Sequence, residues 1–157
     1  MSHLTLLPAS ATWTSDKVEV IGRAASDPPL AAIPLYLEHI AAGFPSPADD
    51  YIEGVLDLNT YLIRNPAATF MVKVSGDSMT EAGIHDGDVL VVDRAEEPAS
   101  GRIVVAVLDG ELTVKRLLLR DGERILMPEN PCYAPMTVSS NQELHIWGVV
   151  TGVVRRV

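Results

Sequence analysis

Residues 102–118 read RIVVAVLDGELTVKRLL, and two strands joined by a two-residue turn are the simplest reading of them. Val and Ile crowd Arg102–Leu108, Asp109-Gly110 tolerates the positive φ that a primed hairpin turn needs, and Glu111–Leu118 returns with Thr, Val and Leu. A lone hairpin is marginal in water, so these apolar side chains need further strands to cover them. The sequence offers four more: Thr69–Val74, Val89–Asp93, Arg124–Met127 and Ile146–Val154. Six short strands predict a mainly β, compact body. One short helix is expected ahead of them, with Asp57 as its cap and Ile63 near its end. Leu58, Leu62 and Ile63 would form its buried side, and Pro66 follows just beyond.

Upstream of that helix the composition changes. Residues 1–42 mix Pro8, Pro28, Pro29 and Pro34 with small residues, and only Leu30–Ile40 suggests local order. This predicts a flexible N-terminal arm over 1–42, followed by a folded domain over 43–157. At the junction, GFPSPADD from Gly43 carries prolines at 45 and 47, which forbid a regular helix and favour the extended backbone that a protease cleft binds.

The hydrophobic share of 47% supports a folded core. A formal net charge of −9, with the nearest basic clusters only the pairs Lys115-Arg116 and Arg155-Arg156, disfavours direct binding to nucleic acid. Protein partners are expected instead. The single cysteine, Cys132, cannot form an internal disulfide and fits a reducing cytoplasm. Neither a signal peptide nor a membrane span is read from the apolar runs, which are strand-sized.

Two residues could carry chemistry. Ser78 lies in Ser75-Gly76-Asp77-Ser78-Met79, between a strand and a turn-rich stretch, where it is expected to be exposed. A serine hydroxyl needs an adjacent base and donors for a developing oxyanion, and the backbone N–H groups of Ser78 and Met79 are candidates for those donors. The same residues also make an ordinary turn. Lys115 sits among Leu112, Val114, Leu117 and Leu118 on the second hairpin strand. Burial disfavours its charge and leaves an amine able to accept a proton, although a lysine stem can equally lie along a sheet while its ammonium reaches water. Neither residue alone names an enzyme.

In combination, the ordered motifs resemble the UmuD branch of the LexA-like peptidases. They are Ala42-Gly43 with Phe44-Pro45-Ser46-Pro47, then Ser75–Met79, GIHDGDVLVVD over Gly83–Asp93, and Asp109-Gly110-Glu111 leading through Thr113-Val114 to Lys115. Tyr133, Pro135, Thr137–Ser140 and Trp147–Val150 continue the resemblance, which covers about residues 40–157. It implies a LexA-like β fold with Ser78 as nucleophile and Lys115 as its base. The substrate implied is the chain's own Ala42–Gly43 bond, whose small residues suit a narrow cleft. The resemblance also implies a homodimer, stimulation of cleavage by a RecA filament on single-stranded DNA, and service of the trimmed form to a UmuC-type Y-family polymerase in SOS mutagenesis. The apolar strand from Ile146 is the expected dimer contact.

Other readings carry less. A repressor would need a helix-turn-helix ahead of the cleavage site. The 42 residues there hold two basic side chains, Lys17 and Arg23, against four acidic ones. Bacterial signal peptidases share a Ser-x-Met and lysine logic but need a membrane anchor. His3, His39, His85 and His145 lack ligand spacing, Asp77, Asp86 and Asp88 read as turn residues, and Cys132 has no local base. No metal and no cofactor is assigned. The alternative function is a non-catalytic interaction module of the same fold, whose arm gates partner binding.

Overall fold

The structure, a computed structural model, describes residues 17–25, 27, 32–36, 52–108, 110–139, 142 and 144–157. The expected cleavage bond Ala42–Gly43, the following GFPSPADD, His3 and His39 lie outside the described residues.

Ten strands and one short α-helix are described: β1 Lys17–Arg23, β2 Ala32–Tyr36, β3 Ile52–Asp57, α1 Leu58–Leu62, β4 Thr69–Ser75, β5 Val89–Asp93, β6 Ile103–Leu108, β7 Glu111–Arg120, β8 Glu123–Met127, β9 Met136–Val138 and β10 His145–Val154. The mainly β expectation with one short helix holds, and the six expected strands appear with ends shifted by at most two residues. Eight strands form one antiparallel sheet in the order β1-β4-β5-β10-β6-β7-β8-β9, and β2 pairs with β3 separately.

The β6–β7 hairpin closes on the Leu108–Glu111 pair, and Gly110 adopts φ of 77°, as the turn chemistry requires. Period-two alternation then sorts the hairpin's side chains between two cores. Val105 on β6 joins Val72, Val74, Met79, Ile84, Leu90, Val92 and Val114 in the first. Val104 and Ala106, on the opposite face, join Leu117, Leu126, Val138 and Val149 in the second. The sheet curls enough to bring β1 against β7, and Val18 of β1 packs on the first core.

Three local differences from the sequence reading have clear causes. The reading assigned order in the first 42 residues only to Leu30–Ile40, but Lys17–Arg23 is also a strand, paired antiparallel to β4, and its Lys-Val-Glu-Val opening alternates as an edge strand does. Asp57 does cap α1, accepting from the N–H groups of Asn59 and Thr60 at 3.4 and 3.1 Å. The five-residue helix is too short to bury a face, however, so Leu58 is exposed and Leu62 and Ile63 only half-buried. Finally, β10 lies between β5 and β6 in the sheet order, pairing with β6 over His145–Val149 and with β5 over Val149–Val154. Each half of β10 is thus paired through its backbone to one neighbour, and only Val149 to both. Val153 and Val154, in the half paired to β5, stay exposed.

Candidate active site

The end of β4 and the middle of β7 come together across 37 residues of sequence, with Lys115 Nζ lying 2.8 Å from Ser78 Oγ. Period two explains how β7 aims its lysine. Thr113 and Lys115 stand side by side on one face, opposite Ala106 and Val104 of β6, and Nζ also contacts Thr113 Oγ1 at 3.1 Å and Val114 O at 2.9 Å. Lys115 is 8% exposed and Ser78 fully buried. The sequence predicts an exposed Ser78, and the structure corrects this. Met79 and Ile84, 1% exposed each, anchor the loop in the first core and draw the preceding serine inward with them. The lysine does not snorkel either, because three oxygen partners close to its own strand replace water.

The loop before Ser78 depends on Gly76, whose φ of 107° is denied to ordinary side chains. Its N–H donates to the Asp86 carboxylate at 2.8 Å, and the Gly87 N–H donates to Val74 O at 2.8 Å. Asp86 thus serves as a turn acceptor. Asp88, 1% exposed, accepts the His85 N–H at 2.7 Å and the Arg155 guanidinium at 2.5 and 2.6 Å. The Arg155 hydrogen bonds hold the Asp88 carboxyl below the usual carboxylate range against the opposing push of burial, with help from the His85 N–H. Arg155 is raised in turn, chiefly by its bond to Asp88.

A second segment, Glu129–Tyr133, grips the same loop. The Glu129 N–H donates to Ser78 O and the Glu81 N–H to Glu129 O, both at 2.8 Å. Asn130 Nδ2 donates to Asp77 O at 2.8 Å, and the Tyr133 hydroxyl donates to the Asp77 carboxylate. Arg116, next to Lys115 but on the other face of β7, pairs with the Glu129 carboxylate. Thr113, Glu129 and Asn130 were missed as site residues in the sequence. Thr113 is legible after the fact as the residue two before the lysine on a strand. The contacts of Glu129 and Asn130 cross about fifty residues and left no local signal. Cys132 is exposed and contributes its backbone N–H to Asn130 Oδ1 at 2.9 Å. Of the two basic pairs noted in the sequence, Lys115, Arg116 and Arg155 are all engaged within the fold.

The arrangement is a buried hydroxyl against an amine, backed by a loop whose peptides are held in place. Residues 34–151 match the family model described as Peptidase S24-like. The chain belongs to the Peptidase S24-like family. Its family relatives include the protein SamA of Salmonella typhimurium, 53% identical over 131 residues spanning 83% of this chain and 90% of SamA. The protein ImpA of Escherichia coli is 50% identical over 134 residues, 78% of this chain and 83% of ImpA. MucA of Escherichia coli is 50% identical over 121 residues, 76% of this chain and 82% of MucA. A LexA repressor 2 of Pseudomonas putida is more distant, at 42% over 129 residues that make up 63% of its length. Within the family the chain is therefore UmuD-like. Among the described residues, no helix is long and apolar enough to cross a membrane.

Proposed function

We propose that this family member is a serine peptidase that cuts its own chain, with Ser78 as nucleophile and Lys115 as general base. The observation that carries this reading is the 2.8 Å approach of Nζ to Oγ in a site where both groups are buried. A neutral amine has two N–H donors and one lone pair. Val114 O and Thr113 Oγ1 can take the two donors, and the lone pair is then left for the Ser78 hydroxyl proton. Burial works in the same direction, because desolvation penalises the ammonium more than the amine.

The proposed reaction uses that arrangement. Lys115 takes the hydroxyl proton as Ser78 Oγ attacks the carbonyl carbon of Ala42. The resulting ammonium gives its proton to the Gly43 nitrogen as the Ala42–Gly43 bond breaks, which leaves residues up to Ala42 as an ester on Ser78. Water, activated by the regenerated amine, hydrolyses that ester and restores the hydroxyl. The backbone N–H groups of Ser78 and Met79 are assigned to the oxyanion. A substrate in the same chain gains from high effective concentration.

By family resemblance the switch belongs to SOS mutagenesis in the cytoplasm. A RecA filament on single-stranded DNA stimulates cleavage of the homodimer, and the trimmed form accompanies a UmuC-type Y-family polymerase. The roughly 50% identity to ImpA and MucA over most of the chain supports placing it on the UmuD side of the family. The test is incubation of purified protein at alkaline pH with intact-mass detection. A fragment beginning at Gly43, absent for Ser78→Ala, is the expected result. If the parent and Ser78→Ala behave alike, the dyad assignment is wrong and the fold acts as an interaction module.

A further inference from the structure

Asn130 is not in the dyad, yet its side chain sits where it can control the backbone around Ser78. Its orientation is set by its own turn. The Cys132 N–H can only donate, so the oxygen of the Asn130 amide faces it at 2.9 Å and the nitrogen is turned toward Asp77 O at 2.8 Å. In a trans peptide, the carbonyl of one residue and the N–H of the next point in opposite directions, and the described residues contain no cis peptide bond. Holding Asp77 O toward Asn130 therefore turns the Ser78 N–H away from residue 130. Holding Ser78 O on the Glu129 N–H, also at 2.8 Å, turns the Met79 N–H away in the same manner. Adjacent residues of one segment thus hold the two successive peptides that flank the nucleophile.

We infer that Asn130 is a positioning residue for the oxyanion hole, fixing the 77–78 peptide so that the Ser78 N–H is presented to the substrate side, with Tyr133 steadying the same loop through the Asp77 carboxylate. This rests on the peptidase reading above. A peptide free to rotate about its flanking bonds would spend part of its time with the carbonyl where the N–H should be, and a carbonyl there repels a developing oxyanion. Pre-set donors carry no such reorganisation penalty during the reaction.

The test compares self-cleavage of the parent and Asn130→Ser across alkaline pH by intact mass, alongside thermal melting. Serine can still accept the Cys132 N–H in a local turn and adds no charge, but it is too short to tether Asp77 O. Loss of an oxyanion donor slows comparable enzymes about 10²–10³-fold, and loosening one of two donors is expected to slow cleavage about 10–100-fold. The midpoint of the pH–rate curve should stay in place because Thr113 Oγ1 and Val114 O remain around Lys115. Melting should also stay close to the parent's. Tyr133→Phe, which leaves the 130–132 turn intact, should give a smaller loss in the same direction and serves if Asn130→Ser folds poorly. Cleavage by both variants at the parent's rate overturns the inference alone. A pH midpoint that moves with the rate overturns it too, since the variant would then act through Lys115. A parent that releases no Gly43 fragment overturns both the inference and the reading beneath it.

Discussion

Replacing Lys115 with Met separates the chemistry of the site from its architecture. Methionine is unbranched and close to lysine in length, so it can follow the same path along β7 while removing the amine. The lost contacts are three, at 2.8, 3.1 and 2.9 Å to Ser78 Oγ, Thr113 Oγ1 and Val114 O. At a net ~0.5–1.5 kcal/mol each, their removal costs about 1.5–4.5 kcal/mol. Against this, methionine brings no amine that burial strips of its water, and burial of a polar group costs about 1–3 kcal/mol on mutational scales. The opposing effects are of similar size. The mid-range values leave a net loss of about 1 kcal/mol and the extremes about 3.5 kcal/mol, which is a melting shift of about 2–4 °C and at most about 14 °C for a chain of this length. The rate has no such compensation, because general acid–base transfer alone supplies about 10²–10⁴-fold. Lys115→Met is therefore expected to melt cooperatively yet release the Gly43 fragment at least a hundredfold more slowly, read by circular dichroism and intact mass on the same samples. A well-folded variant that cleaves within tenfold of the parent would refute the base assignment.

Further expectations concern the frame around the site. Asp88 has a folded pKa below its ordinary value, so its stabilising contribution is present above about pH 4 and disappears as pH falls through the folded pKa. Arg155→Met should move the acid-unfolding midpoint, followed by circular dichroism, to higher pH, and an unchanged midpoint would remove Arg155 as the cause. A Cβ at Gly148 would stand 2.6 Å from Val92 Cγ1 and 3.3 Å from Asp93 O, and Val92 is fully buried and has no room to retreat. Gly148→Ala should cost about 1–3 kcal/mol by overpacking, measured by denaturant midpoint. Gly43→Val should leave that midpoint in place while slowing cleavage at alkaline pH, since a branched side chain at the bond obstructs a narrow cleft.

The legible parts of this protein are those in which a short pattern determines a local outcome. The hairpin of β6 and β7 could be drawn from its alternation and its Asp-Gly turn. With it came the placement of Lys115 on the second arm, because both depend on neighbouring residues alone. Asp57 was readable as a cap for the same reason. Strand β9, three residues long, and strand β3 have too little pattern to stand out, and each exists because a partner strand supplies its hydrogen bonds. The place of β10 was hidden likewise: its position between β5 and β6 depends on pairing with strands distant in sequence, which its own apolar pattern does not name.

The site divides along the same line. Ser78 and Lys115 could be named because each is a chemically distinctive residue in a distinctive local setting, but taken separately each had an ordinary structural explanation. Their 2.8 Å contact, with Lys115 only 8% exposed against a buried hydroxyl, is what supports the proposed reading of the two as a pair. The pairing is built by long-range register. Ile103–Arg116 and Leu108–Glu111 pairing fixes where Lys115 points, and β4–β5 pairing fixes where β4 ends. The segment at 129–130 then holds the loop that follows β4, while Arg116 ties that segment back to the strand carrying the lysine. Ser78, Lys115 and the peptides beside Ser78 are thus parts of one closed mechanical loop. A substitution at Arg116 should consequently disturb the placement of Ser78 as well as that of Glu129, even though its side chain touches neither hydroxyl nor amine.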